Sequence, residues 1–173
     1  MSHQEHRHEA PRQVRLGVIT ASDTRGEAED ESGRFLREAA AAAGHALACY
    51  RVVEDDAAAI RRALGEAAAA GAEAIVVNGG TGIALRDRTY EAVAGLLEKR
   101  LDGFGELFRM LSFAEIGSAA MLSRAVAGTW DGRIVFSVPG SLAAVRLAWE
   151  RLIAPELGHA LRELRKDLPR GRA

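Results

Sequence analysis

The chain has little cysteine, few aromatic residues, no excess of either charge and no long apolar run. One cysteine among 173 residues, Cys49, excludes an internal disulfide framework; its place in a strand-like segment suits a small buried hydrophobe. A formal net charge of −1 gives the whole molecule no electrostatic bias toward nucleic acid or an anionic membrane, so any anion site must be local. No apolar stretch approaches the roughly 18 residues that span a bilayer. The first residues, Met1 to Arg12, lack the apolar segment of a secretory signal and read as a disordered tail. Its His3, His6 and His8 have no fixed scaffold on which to chelate a metal. A cytoplasmic protein is expected. No glycine loop is followed by the Lys-Ser/Thr of a Walker A motif, and no zinc-ligand, Cys–His or Ser–His–Asp arrangement is visible.

What the chain does have is enough apolar residue, 48%, to bury the core of one domain. Its centre is Asn78-Gly79-Gly80-Thr81-Gly82, which follows the apolar run Ala74-Ile75-Val76-Val77 and precedes a helical segment, Glu91 to Leu97. Three glycines in four residues let the backbone turn tightly and aim its N–H groups at an anion, for which phosphate is the natural guest. Asp87, just beyond, cannot bind phosphate itself but could hold a divalent cation that does. Equally, the loop could be a sharp strand-to-helix connection, with Asp87 or Thr89 as a helix N-cap. Leu85 stands where the dinucleotide fingerprint would need a third small residue, so that motif is absent.

In chain order, Val14–Thr20 reads as a first strand ending in Ala21-Ser22-Asp23-Thr24, a polar segment that is either a site margin or an ordinary loop. A helix over Ser32–Ala43 stops at Gly44, and a strand follows over Ala46–Val53. Glu54-Asp55-Asp56 then leads into a helix over Ala57–Ala70, with Asp55 or Asp56 available as its N-cap. This alternation predicts parallel strands with helices on both faces, and it puts Asp55 and Asp87 on one rim of the sheet. Phe104, Phe108, Leu111 and Leu107 are expected on one helical stripe, a core or subunit-contact face rather than a cofactor box. Ser118–Ala127 is expected to be a short helix closed by Gly128, and Arg133–Val138 a strand. Ser141 is a natural N-cap for Leu142–Ile153, whose first amides could also receive an anion. A last helix begins at Pro155, and Lys166–Ala173 reads as a frayed tail.

Four motifs in order, Gly79-Gly80-Thr81-Gly82 with Arg86-Asp87-x-Thr89-x-Glu91-Ala92, Gly103-Phe104-Gly105-Glu106-Leu107-Phe108-Arg109-Met110-Leu111-Ser112, Ser123-Arg124-Ala125 and Pro139-Gly140-Ser141, closely resemble the molybdenum cofactor biosynthesis proteins of the MoaB/MogA family. The resemblance runs from about Val14 to Leu164 and is nearest the MoaB branch. It implies a three-layer α/β/α sandwich with a mostly parallel sheet, formed by a single molybdopterin-binding domain over residues 13–165 between tails at 1–12 and 166–173. It further implies homo-oligomers, trimers or hexamers, and adenylyl transfer from ATP to the terminal phosphate of molybdopterin with Mg²⁺. Some MoaB-type members resemble the enzyme without its activity, so an inert molybdopterin-binding or scaffold protein of the same pathway is the alternative. Carried over by motif, Asp55 and Asp87 look like the catalytic, metal-holding carboxylates, Gly79, Gly80, Thr81 and Gly82 like nucleotide and phosphate contacts, and Ser22, Pro139, Gly140 and Ser141 like substrate contacts.

Overall fold

Period-two runs of β-branched residues form the strands, and alanine-rich segments with an apolar stripe form the helices around them. The computed structural model describes residues 11 and 13–166; the tails expected at 1–12 and 166–173, with His3, His6 and His8, lie outside the described residues except for Pro11 and Lys166. The first half of the chain runs β1 (Arg15–Ala21), α1 (Glu31–Ala42), β2 (Ala46–Val53), α2 (Ala57–Ala69), β3 (Ala74–Asn78) and α3 (Thr89–Ala94). The second half runs β4 (Lys99–Arg100), α4 (Asp102–Ile116), β5 (Val126–Trp130), β6 (Arg133–Val138), α5 (Leu142–Ala148) and α6 (Ala154–Arg165). A π-helical turn, Trp149–Ile153, joins the last two helices just before Pro155, which has no N–H to donate.

The strands make one sheet in the order β2-β1-β3-β6-β5-β4. β2, β1, β3 and β6 are parallel, and β5 and β4 are antiparallel additions at one edge. Alternate residues of each central strand face opposite layers, as the two-residue period requires. Leu16, Val18, Val76, Phe136 and Val138 pack under α1, α4, α5 and α6, whereas Ile19, Ile75, Val77 and Val135 pack under α2 and α3. The result is the three-layer sandwich, with Cys49 buried among the second set. No helix among the described residues is long and apolar enough to cross a membrane.

The helix expected over Ser118–Ala127 is not there. A 3₁₀ segment covers Gly117–Leu122, and Val126–Trp130 is a strand hairpinned to β6. Asp131 and Gly132 both adopt positive φ (47° and 70°), the geometry of a tight hairpin turn, so the Asp-Gly pair was the overlooked signal. Gly128 is no helix end. A Cβ there would stand 2.3 Å from the Lys99 carbonyl oxygen, which makes it the point where β4 closes on β5.

Candidate functional site

Ligands of open parallel sheets gather beyond the carboxyl ends of the strands, at the point where the chain reverses its direction of winding. From β1 the sheet builds outward to β2 on one side and to β3 on the other, so that point lies between β1 and β3. Gly79 occupies it with φ +108°, and a Cβ there would be 2.1 Å from the Ala21 carbonyl oxygen. A Cβ on Gly140 would meet the Gly79 Cα at 2.8 Å. Only glycines allow the loops after β1, β3 and β6 to converge this closely.

Asp55 and Asp56, equivalent as possible caps in the sequence, have divided roles. Asp56 caps α2, its Oδ1 accepting from the amides of Ala58 (3.0 Å) and Ala59 (2.9 Å). Asp55 instead turns to the glycine loop, where its Oδ1 accepts from the Arg88 amide (3.1 Å) and the buried Thr89 hydroxyl (3.0 Å). Its own amide donates to Asp23 Oδ1 at 2.9 Å. Nor is Asp87 a cap, because its Oδ2 accepts from the Ala84 amide (2.8 Å) and closes the loop on itself. The two carboxylates lie against the same short stretch. A Cβ on Gly80 would come within 2.1 Å of Asp55 Oδ2, and one on Gly82 within 2.5 Å of Asp87 Oδ2.

Arg124 sets the orientation of the loop. It donates to the Thr81 carbonyl (2.9 Å), to the Gly82 carbonyl and to the Glu91 carboxylate, and its guanidinium lies 4.9 Å above the Tyr90 ring. The hydrogen bond from Arg124 holds the Glu91 carboxyl below the usual carboxylate range. With the carbonyls engaged, the amides of Gly80, Thr81, Gly82 and Ile83 have no acceptor among the described residues. Such a row of unused amides is an anion receptor.

Of the remaining residues, Ser22 pins the loop after β1: its Oγ accepts from the Thr24 and Arg25 amides (3.4 and 3.1 Å), and its amide donates to the Val53 carbonyl (2.8 Å). Ser141 caps α5 through the Ala144 amide at 3.3 Å. Pro139 is half-buried, and the Gly140 carbonyl accepts from Ser32 Oγ at 3.0 Å. Sequence reasoning did not single out Asp23 or the anchoring of Asp55 by Arg88 and Thr89. These contacts join residues 32 to 34 apart and leave no local pattern.

No group of three or more His, Cys, Asp and Glu side chains forms a metal cage among the described residues. The donor set is smaller. Asp55 Oδ2 and Asp87 Oδ1 receive no hydrogen bond from any described residue. Two hard carboxylates beside an anion receptor suit Mg²⁺, which keeps waters and phosphate oxygens in its shell, and fall short of an all-protein calcium or zinc site.

A model of the probable molybdopterin-binding domain family matches residues 17–159. Molybdenum cofactor biosynthesis protein B of Halalkalibacterium halodurans is 54% identical, the match covering 96% of this chain and 99% of that one. The protein of the same name from Bacillus subtilis is 52% identical over the same shares of the two chains. The solved structure of the tungsten cofactor synthesizing protein MoaB from Pyrococcus furiosus superposes with a TM-score of 0.83 at 42% identity, covering 90% of this chain and 99% of that one. A match across nearly the whole domain, in sequence and in fold alike, makes this chain a member of the MoaB family of molybdenum cofactor biosynthesis proteins.

Proposed function

We propose that the protein is a molybdopterin adenylyltransferase that transfers AMP from ATP to the terminal phosphate of molybdopterin and releases pyrophosphate. The observation that carries this reading is the packing of Asp55 onto Gly80 and of Asp87 onto Gly82, on a loop whose amides have no acceptor among the described residues. An oxygen of the acceptor phosphate attacks the α-phosphorus of ATP, forming one P–O bond as the bond to the β-phosphate breaks. The chain's part is positioning and charge stabilisation, with no covalent intermediate. The loop amides bind phosphate oxygens, and the lack of side chains on Gly80 and Gly82 lets the carboxylates of Asp55 and Asp87 lie against the same loop. Arg124, by holding the Thr81 and Gly82 carbonyls, fixes the orientation of the loop between turnovers. Asp55 and Asp87 would hold Mg²⁺, which when bound would neutralise phosphate charge. Ser22 and the Pro139–Ser141 turn border the acceptor.

The reaction takes place in the cytoplasm, in a trimer or hexamer. The assembly reading is supported by the outer face of α4 and the segment after it, where Met110, Phe113 and Met121 are 60%, 62% and 78% exposed.

Incubation with molybdopterin, ATP and Mg²⁺ should yield AMP-linked pterin. Asp87→Asn and Asp55→Asn should each reduce the rate by about a hundredfold or more with the fold intact. Wild-type turnover in either variant would remove that carboxylate from the mechanism. Molybdopterin binding without any AMP-linked product would establish the inert binding protein instead.

A further inference from the structure

A cation lies over the point where the loop after β6 meets the loop after β3. A Cβ on Gly140 would stand 2.8 Å from the Gly79 Cα and 3.6 Å from Arg25 Nη2, so the Arg25 guanidinium sits at that seam although Arg25 belongs to the loop after β1. It reaches there from a turn fastened at several points. Ser22 Oγ accepts from the Arg25 amide (3.1 Å), Asp23 Oδ1 accepts from the Asp55 amide (2.9 Å), and the Gly26 amide donates to Glu29 Oε2 (3.1 Å). One turn thus presents two opposite charges to the site. Asp23 holds the backbone of Asp55, and Arg25 lies beside the contact of the two glycines.

Electrostatics set Arg25 apart from Arg124. The Arg124 guanidinium is spent on Glu91 and on the Thr81 and Gly82 carbonyls. The Arg25 side chain is exposed and has no ion pair or side-chain hydrogen bond with any described residue; Asp23 and Glu29, its near neighbours in sequence, both lie beyond ion-pair distance of it. The carboxylates of Asp23, Asp55 and Asp87 leave this part of the rim negative, which repels phosphate unless cations offset it. A guanidinium does so with direction as well as charge. Its planar fork matches a pair of oxygens on one phosphoryl group, where the charge of a group in transfer is spread.

We propose that Arg25 is a catalytic residue of the transfer step, its guanidinium binding the non-bridging oxygens of the phosphoryl group that passes from nucleotide to acceptor. This rests on the adenylyl-transfer reading and deepens it. Gly79 leads into the amides that bind the nucleotide, and Gly140 is the middle of the turn that borders the acceptor. A cation where the two touch meets the phosphorus in transit rather than the far end of either substrate, so it raises turnover without adding to ground-state affinity. In that step the acceptor's phosphate oxygen forms a bond to the α-phosphorus, and the bond from that phosphorus to the bridging oxygen of the β-phosphate breaks. Pyrophosphate leaves with the electron pair. Arg25 keeps its protons throughout, as its high pKa requires.

Steady-state turnover of the whole chain with molybdopterin, ATP and Mg²⁺ tests this. Arg25→Gln should lower kcat about a hundredfold, with KM for ATP and affinity for molybdopterin changed by no more than about twofold and Tm within about 2 °C of wild type. Arg25→Lys, which keeps the charge but loses the fork, should lower kcat only about tenfold. Added guanidinium ion should restore part of the rate lost in Arg25→Ala and none of that lost in Asp87→Asn, a response that a merely structural role would not produce. A loss of rate expressed in KM or affinity alone, or one accompanied by a lowered Tm and no guanidinium response, would overturn the proposal. If wild type and Arg25→Gln form AMP-linked product equally fast, Arg25 alone is rejected and the transfer reading stands. If wild type forms no product, the transfer reading fails and the role of Arg25 falls with it.

Discussion

The smallest side chains carry much of the site, because each glycine marks a place where another group must come close. Gly80 and Gly82 separate two kinds of constraint. At Gly80 the backbone has φ +51° and a Cβ would collide with Asp55, so Gly80→Ala should both destabilise the fold, by about 1–2 kcal/mol from the left-handed backbone alone, and disable the site. Gly82 has no such backbone demand, and its Cβ would meet only the Asp87 carboxylate at 2.5 Å. Gly82→Ala should therefore leave the melting temperature within about 2 °C of wild type while displacing Asp87 and lowering adenylyl transfer about tenfold or more. Thermal melts and turnover on the same preparation check this, and a Gly82→Ala enzyme of normal rate would show that Asp87 need not stay where it is.

Elements are tied together at the opposite end of the sheet by Glu73, which stands just ahead of β3. Its carboxylate accepts from the Arg15 amide (2.8 Å) at the start of β1 and from Arg165 (2.9 Å) at the end of α6. Burial pushes the Glu73 carboxyl up, but these hydrogen bonds and the charges of Arg165 and Arg15 outweigh it and hold the group below the usual carboxylate range. A carboxyl lowered in the folded state stabilises the fold above its ordinary pKa and ceases to do so as pH falls through the lowered one. Glu73→Gln should thus cost about 1 kcal/mol, or roughly 2–4 °C in Tm, near neutral pH. The two melting curves should converge as pH falls below the usual carboxylate range. A constant gap across that range would mean that packing, not charge, holds these elements. Because Glu73 lies a full strand length from the glycine loop, transfer activity should be unaffected.

At the scale of the whole molecule, α4 has two apolar faces. Phe104 and Phe108 face the core and stack against each other with centroids 6.5 Å apart, while Leu107, Met110, Phe113 and Ile116 point away from it. The stripe read as either core or subunit contact is core at Phe104 and Phe108; the surface left for another subunit is the opposite side of the helix. Light scattering at micromolar concentration should give a trimer or hexamer, and Phe113→Glu should shift it to smaller species by placing a charge in an apolar contact. A wild-type monomer would end the assembly proposal.

The order of strands and helices, the two-sided core and the glycine loop were legible because each rests on contacts within a few residues: period-two apolar runs, helical stripes and turn glycines. The Asp131-Gly132 turn between β5 and β6 is a local signal of the same kind. One thing was not legible: which of Asp55 and Asp56 caps α2. Asp55 is fixed by partners more than 30 residues away. Local interactions specify elements, whereas a site is a set of distances between elements, and those exist only once the sheet has brought its loops to one rim.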